Sequence, residues 1–375
     1  MSDVVVIGGG VVGAGAAYRL AREGVSVTLV DRADDGQATA AGAGIISPGT
    51  SYKPPAAFFP LAFKSVDYYE TLLAELAEDG VPDTGYEVTG LLHVAVSDQE
   101  AARLPELFAL FSDRLAAGVR NIGEVRLISG DEAQQLFPAL GPVVRAIYTS
   151  GAARLDGRRL RDALVAGAAS HGARVVRGSA SLRMEHGRAE AVEVNGERIA
   201  SGAVVLAGGA WSPELVTALP VRLSVYPQRG QIAHLELPQA HTSSWPVVVG
   251  FHSHYMLTFP ENRVVAGATR EDASGFDYRL TAGGVHETLS EALRIAPGLA
   301  SATVREIRIG LRPASPDGLP ILGKLPEIEN VYAATGHGAS GLQLGPYSGA
   351  LVAALIQRRR VDLDVTPYLP DRFQN

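Results

Sequence analysis

Asp3-Val-Val-Val-Ile-Gly-Gly-Gly-Val-Val-Gly-Ala-Gly-Ala-Ala-Tyr-Arg-Leu20, continued by Thr28-Leu-Val-Asp31-Arg32, is the stretch on which the fold turns. Val4 to Ile7 is an unbroken apolar run, the pattern of a strand covered on both faces in a parallel sheet. Gly8-x-Gly10-x-x-Gly13 follows at once. In that spacing the first glycine makes the tight turn, the second lets the backbone approach a pyrophosphate, and the third lets the helix pack on the strand. Helix formers run from Ala14 to Glu23, and Gly24 stops them. Asp31 closes a second strand eighteen residues after Gly13, where a carboxylate can accept from ribose hydroxyls. A glycine-rich βα turn with no ligand is the bland alternative. Strand, turn, helix, strand and acid in that order point instead to an adenine-dinucleotide site.

The 375 residues exceed one ordinary core, so two domains are expected. With 46% hydrophobic and 19% charged residues, the composition is that of a globular protein. Its 42 glycines exceed the usual share of about 7% and foretell close backbone approaches. A net charge of −7 argues against nucleic acid as a partner. Arg358-Arg-Arg360 reads as a helix C-terminus, where cations meet the negative end of the dipole. The absence of cysteine excludes disulfides, thiolate metal ligands, a cysteine nucleophile and a thioether-linked cofactor. The first strand starts at residue 3, leaving no room for a signal peptide, and no apolar stretch reaches the roughly 18 residues of a membrane span. A cytoplasmic protein with no transmembrane segment is expected.

Beyond Asp31, the run Ala38-Thr-Ala-Ala-Gly-Ala-Gly-Ile-Ile-Ser-Pro48 has almost no side-chain volume. It suits a backbone pressed against a flat ligand, with an ordinary small-residue loop as the alternative. A long helix is expected over 61–78. The block from about 85 to 143 alternates strand and helix, with Ser97 to Glu100 and Ser129 to Glu132 as capping pairs. A helix over 156–170 and a hairpin at Asn195-Gly196 follow. Ala203-Val-Val-Leu-Ala-Gly-Gly-Ala-Trp211 repeats the logic of the opening and reads as the same sheet resumed. From 221 to 309 the pattern is mostly β, with one helix over 281–295. The last section holds Gly310-Leu-Arg312-Pro, a strand over 331–335, the segment Gly336-His-Gly-Ala-Ser-Gly-Leu-Gln343, and a helix from Tyr347 to about Gln357. The fold class is α/β: a Rossmann-like dinucleotide domain over 1–84, 144–219 and 311–375, interleaved with an α+β substrate domain over 85–143 and 220–310 built on a mostly antiparallel sheet.

Taken in order, these pieces resemble the D-amino-acid oxidase family of flavoenzymes, glycine oxidases and bacterial D-amino-acid dehydrogenases above all. The matching residues are the opening fingerprint with Asp31, Ala41-Gly-Ala-Gly-Ile45, Ala207-Gly-Gly-Ala-Trp-Ser212, Gly267-Ala-Thr269, Gly310-Leu-Arg-Pro313 with Asp317-Gly-Leu-Pro320, and Gly336-His-Gly338. The resemblance spans nearly the whole chain and implies FAD. It sets Gly8, Gly10, Val11, Val12 and Gly13 at the pyrophosphate and Asp31 and Arg32 at the adenosine. Thr39, Ala43, Gly44 and Ile45 would lie along the phosphate and flavin, and the backbone of Ser181 at the adenine. His337, Gly338, Ala339, Ser340, Gly341, Leu342 and Gln343 would border the pyrimidine edge of the ring. The helix they lead into supports that placement, since its N-terminal amides favour the negative charge of a reduced flavin. Some family members tether FAD through cysteine or through a histidine near the start. This chain has no cysteine and its first histidine is His93, so FAD is expected to be non-covalent.

The resemblance further implies FAD-dependent oxidative deamination of D-amino acids: hydride leaves the α-carbon for flavin N5, and water hydrolyses the imine to a keto acid and ammonia. Such a step asks for position more than for an acid or base, and it needs a carboxylate anchor. Arg312 fits that role. It precedes a proline, which favours extended backbone, and its guanidinium can grip a carboxylate with two bonds; an ion-paired arginine in a Pro-rich turn is the alternative. Tyr255 aligns with a family tyrosine that reaches the substrate carboxylate, against plain packing on a strand. His252 and His254 would share one face of a regular strand. Without a third ligand they make no metal site, and a role in substrate selection stays open. Where glycine oxidases carry an arginine after the Gly-His pair, this chain has Ala339 and Ser340, which leaves space above the ring and leans toward D-amino acids with a side chain. A glycine- or sarcosine-type oxidase, an NAD-dependent dehydrogenase and a non-catalytic flavoprotein are the competing readings. Oxygen and a quinone are both open as acceptors, the quinone with membrane association, and so is a homo-oligomer.

Overall fold

The computed structural model describes residues 2–374. Ser2–Ile7 lies inside a parallel sheet, flanked by Val27–Asp31 on one side and Glu197–Leu206 on the other. Arg174–Arg177 extends the first side and Val331–Thr335 the second, with Ile321–Lys324 antiparallel at that edge. Alternate side chains of these strands enter two different cores. Val4, Val6, Leu29 and Val205 pack under the helices Val11–Arg22, Gly157–Ser170 and Gly341–Ile356. Val5, Ile7, Val30 and Val204 pack on the other face with Val192 and Val194 of the strand Arg188–Val194. Both faces being covered is why these strands read as continuous apolar runs. Asn195 and Gly196 take φ of 52° and 80°, the positive values an Asn-Gly hairpin turn requires.

The second sheet has eight strands, ordered Thr303–Ala314, Tyr226–Glu236, Arg263–Gly267, Tyr255–Phe259, Val247–Val249, Leu91–Ala95, Arg145–Thr149 and Val125–Ser129. All neighbours are antiparallel except Val247–Val249 with Leu91–Ala95. Helix Ala282–Ile295 covers one face. On the other, Leu104–Ala116 covers part, and Ile232, Leu257, Val265 and Ala268 receive Ala43 and Ile45 from the dinucleotide half. The second sheet thus closes over the small-residue run that follows the second parallel strand.

Three expectations change. Arg145–Thr149, assigned by the boundary at 144 to the dinucleotide half, pairs with Leu91–Ala95 and Val125–Ser129, and its Ala146 and Ile147 are buried in the cores of the second sheet. The terminal helix starts at Gly341 rather than Tyr347. Pro346 sits one turn inside it: the Leu342 carbonyl that it cannot serve accepts from the Tyr69 hydroxyl instead. Gly338–Ile356 is also long and apolar enough to cross a membrane, contrary to the expectation for apolar stretches. Its apolarity has a packing cause, since Gly349 presses on the backbone of the opening helix at Ala16, and Leu344, Leu351 and Val352 are buried in the core of the parallel sheet.

One buried histidine makes stability pH-dependent. His93 is 2% exposed, ringed by Tyr52, Phe111 and Phe251, and neither ring nitrogen has a partner. Burial, with Arg103 and Lys53 adding to it, pushes its pKa from 6.5 down to about 4. The unfolded chain therefore takes up this proton first, so the stability is complete above about pH 6.5 and is lost as pH falls toward 4; at pH 5 the loss is about 2 kcal/mol. His93→Phe, which removes the unpaired nitrogens, is expected to lose less stability between pH 7 and pH 5 than the parent. Urea unfolding at the two pH values checks this, and an unchanged difference would contradict it.

Candidate active site

A cavity of about 1530 Å3, part of it open to solvent, lies where the two sheets meet. Ile7 to Val12, Val30 to Arg32, Ala207 to Trp211, Thr335 and His337 line it from the C-terminal ends of the parallel strands, the usual place for a ligand in such a sheet. Gly230, Ile232, Tyr255 and Gly310 to Pro313 line it from the second sheet.

The glycines of the fingerprint divide their work. Gly8 has φ of 111°, and a Cβ on it would run into the Ala207 carbonyl; one on Gly13 would run into the Gly8 carbonyl. These two serve the packing of strand, turn and helix, and Gly13 does not line the cavity. Gly10 is different: a Cβ there would meet only Thr39 Oγ1, at 3.2 Å, and otherwise project into open space at the helix N-terminus. The Val11 N–H donates to Thr39 Oγ1 at 3.0 Å, and no acidic residue occupies the first turn. Unpaired amides and an uncompensated dipole there suit a pyrophosphate.

Asp31 accepts from the Ala33 N–H at 3.0 Å and from Gln37 Nε2 at 3.2 Å. Arg32 is turned toward Asp34 and Glu214, at 2.8 and 3.2 Å. On the adenine side the lining is Gly178, Ser179 and Ala180, whereas Ser181 is exposed and lies outside it. The sheet's alternation puts Ala180 rather than its neighbour at the cavity.

At the other end, Gly44 has φ of 96°, and its missing side chain admits the Leu155 carbonyl. Ala43, Gly44 and Ile45 all line the cavity. His337, Gly338, Ala339, Gly341, Leu342 and Gln343 line it as well, and Ser340 does not. Gln343 Oε1 accepts from the Ser47 N–H at 3.1 Å, which ties the terminal segment to the small-residue run. Both ring nitrogens of His337 are buried without a partner, and burial pushes its pKa down to about 3, so the ring is neutral. A glycine cradle at a helix N-terminus, an acid on the second strand and an orphaned buried imidazole together fit a dinucleotide such as FAD.

Arg312 stands on Thr303–Ala314, opposite Gln228 of the neighbouring strand. Its guanidinium crosses Gly230, where a side chain would collide with it, and donates to the Thr269 carbonyl at 2.9 Å and Gln228 Oε1 at 3.3 Å. Among the described residues no carboxylate pairs with it. Burial lowers its pKa, with Tyr255 opposing. Tyr255 faces Gly267 across the strand pair, and a Cβ there would stand 2.9 Å from the phenol oxygen. Burial raises the phenol's pKa, so it stays a donor. Gly230, Gly267, Gln228, Thr269 and Gln37 escaped sequence reasoning as site residues. An isolated glycine inside a strand pattern was the available signal for the first two.

His252 and His254 do not share a strand face. Ser253 has φ of 71°, which makes this a turn before the strand Tyr255–Phe259. The two rings reach Glu291 at 3.1 Å and Glu287 at 3.2 Å, acids one turn apart on Ala282–Ile295, and neither histidine lines the cavity. No group of three or more His, Asp or Glu able to hold a metal is found among the described residues.

The packing separates two substitutions. Gly13→Ala is expected to destabilise or unfold the protein, while Gly10→Ala keeps the fold and weakens FAD binding by about tenfold or more through its intrusion at the helix N-terminus. Thermal unfolding of the apoprotein and FAD titration check the pair; unimpaired FAD affinity in Gly10→Ala would contradict the assignment.

Comparison with known proteins gives a family model, FAD dependent oxidoreductase (DAO), matching residues 3–355. The uncharacterized oxidoreductase YurR of Bacillus subtilis (strain 168) is 39% identical over 99% of each chain. Glycine oxidase of Geobacillus kaustophilus (strain HTA426) is 30% identical over 98% of this chain and 96% of its own. The crystal structure of iminodiacetate oxidase from Chelativorans sp. BNC1 superposes with a TM-score of 0.94 and 41% identity over 98% of each chain.

Proposed function

The chain belongs to the DAO family of FAD-dependent oxidoreductases, and on that premise we propose that it oxidises the amine of an amino acid whose carboxylate is held by Arg312 and Tyr255. When bound, FAD supplies the two-electron oxidant. The residues that would hold it are Gly10, Val11 and Val12 at the pyrophosphate, Asp31 and Ala180 at the adenosine, and Ala43 to Ile45 with His337 to Ala339 and Gly341 to Gln343 at the ring.

One observation carries this reading: a guanidinium without an acid partner, fixed in the cavity wall over a glycine and beside a protonated phenol. Two donors aimed at one region are satisfied by a carboxylate. The acids lining the cavity are Asp31, Asp34 and Glu214, all on the adenosine side. Among the described residues no carboxylate base therefore lines the Arg312 end, in keeping with transfer of the α-hydrogen as hydride from an amine that has already lost its proton to solvent. The enzyme's part is to orient the substrate's α-carbon. Water then hydrolyses the imine to a carbonyl product and a free amine or ammonia.

Two substrate readings follow. The small residue Ala339, which lines the cavity, favours a D-amino acid with a side chain. Likeness to a glycine oxidase and to an iminodiacetate oxidase favours glycine or an N-substituted glycine, a secondary amine, and is the stronger support. The same names support oxygen as acceptor.

Arg312→Ala is expected to raise KM for every accepted amino acid by about 100-fold, the loss of two charge-assisted bonds. Arg312→Lys should recover little, because an ammonium lacks the fork. Steady-state kinetics on the FAD-loaded enzyme checks this; near-parental KM in the alanine variant would remove the assignment.

A further inference from the structure

Arg312 is not alone at its end of the cavity. Arg270 follows Thr269, the residue whose carbonyl Arg312 holds, and it is exposed. Its charge acts on both Arg312 and Tyr255. Lys53 comes across from the small-residue run, lies over the Tyr52 ring at 5.7 Å and donates to Ser253 Oγ, two residues before Tyr255. Arg103 stands over the Phe251 ring at 4.6 Å, on the same turn. Burial pushes the Lys53 ammonium down, and Arg270 and Arg103 add to it.

These four cations have no acid between them among the described residues. The carboxylate next in sequence, Glu271, is already taken by Arg229, Gln231 and Thr269. Elsewhere in the chain arginines such as Arg19, Arg22, Arg174 and Arg229 sit against carboxylates. Uncompensated like charges repel one another, and a bound anion relieves that repulsion. One substrate carboxylate satisfies Arg312 and Tyr255. It leaves Arg270 and Lys53 unanswered, just outside.

We propose that Lys53 and Arg270, backed by Arg103, form a second anion subsite beside Arg312 and Tyr255, beyond the residues that line the cavity, and that the substrate is an amine carrying a second carboxylate beyond the one on Arg312 and Tyr255. This rests on the function proposed above and narrows it to a dicarboxylic amine. The second carboxylate can sit on the nitrogen substituent, as in an N-carboxymethyl amino acid, or on the side chain of an acidic D-amino acid.

The test compares kcat/KM of the FAD-loaded enzyme for sarcosine and D-alanine with that for N-(carboxymethyl)glycine, D-aspartate and D-glutamate. The parent is run beside Arg270→Gln, Lys53→Met and the double variant. In parallel, diglycolate, the non-oxidisable ether, and methoxyacetate, its one-carboxylate counterpart, are titrated against the bound flavin's absorbance. At least one dicarboxylate should exceed its one-carboxylate partner by about tenfold or more, mainly through KM, and that ratio should fall about tenfold in the double variant, as should the preference for diglycolate. Preference for the N-carboxymethyl compound places the second charge on nitrogen; preference for D-aspartate or D-glutamate places it on the side chain. A ratio near one in the parent, or one the double variant leaves unchanged, overturns the subsite. If no amine reduces the flavin, the proposed function fails, and the diglycolate titration still decides the subsite by itself.

Discussion

The strand Thr303–Ala314 is where the two halves become one site. Its Leu311 N–H donates to the Gly36 carbonyl at 2.8 Å, and Leu311 pairs in parallel with Gln37. One residue earlier, Gly310 lies so close to Ala41 that a Cβ on it would stand 2.8 Å from that side chain. This strand therefore belongs to the second sheet along most of its length and to the dinucleotide half at its end. Arg312 is the next residue but one after Gly310, so its position relative to the cofactor cavity is set by main-chain bonds and a glycine contact. A catalytic anchor needs such rigidity, because a shift of about 1 Å in a reacting geometry can cost about a hundredfold in rate.

Local signals were legible in the sequence and long-range pairing was not. The opening run showed its fold because each of its parts acts within about thirty residues: a strand, a turn, a helix and a returning strand. Asn195-Gly196 and the capping serines Ser97 and Ser129 were legible for the same reason. Arg145–Thr149 was assigned to the wrong half because a five-residue strand does not announce its partners; only pairing with Leu91–Ala95, some fifty residues away, decides them. His252 and His254 looked like a strand pair because nothing local marks Ser253 as the residue that takes positive φ. Gly230 was passed over, and Gly267 was noted only as part of Gly267-Ala-Thr269, for a related reason, since each makes room for a side chain from a strand that sequence alone does not place beside it.

Charge is sorted along the cavity. Asp31, Asp34 and Glu214 line one end and Arg312 the other, with Arg270 and Lys53 adding positive charge from beyond the lining. In a chain of net charge −7 this cationic pole is opposite in sign to the whole. On the function proposed above, it would draw a carboxylate-bearing substrate to the Arg312 end. His337, buried and neutral, adds no charge to the cavity wall.

The central claim is that a carboxylate, held by Arg312 and Tyr255, is what makes an amine a substrate. Anaerobic reduction of the bound flavin, followed at its visible absorbance band, tests this with matched pairs: glycine and methylamine, sarcosine and dimethylamine, D-alanine and ethylamine. The account predicts bleaching by one or more of the amino acids and none by the amines that lack the carboxylate. Equal bleaching by both members of a pair would contradict it.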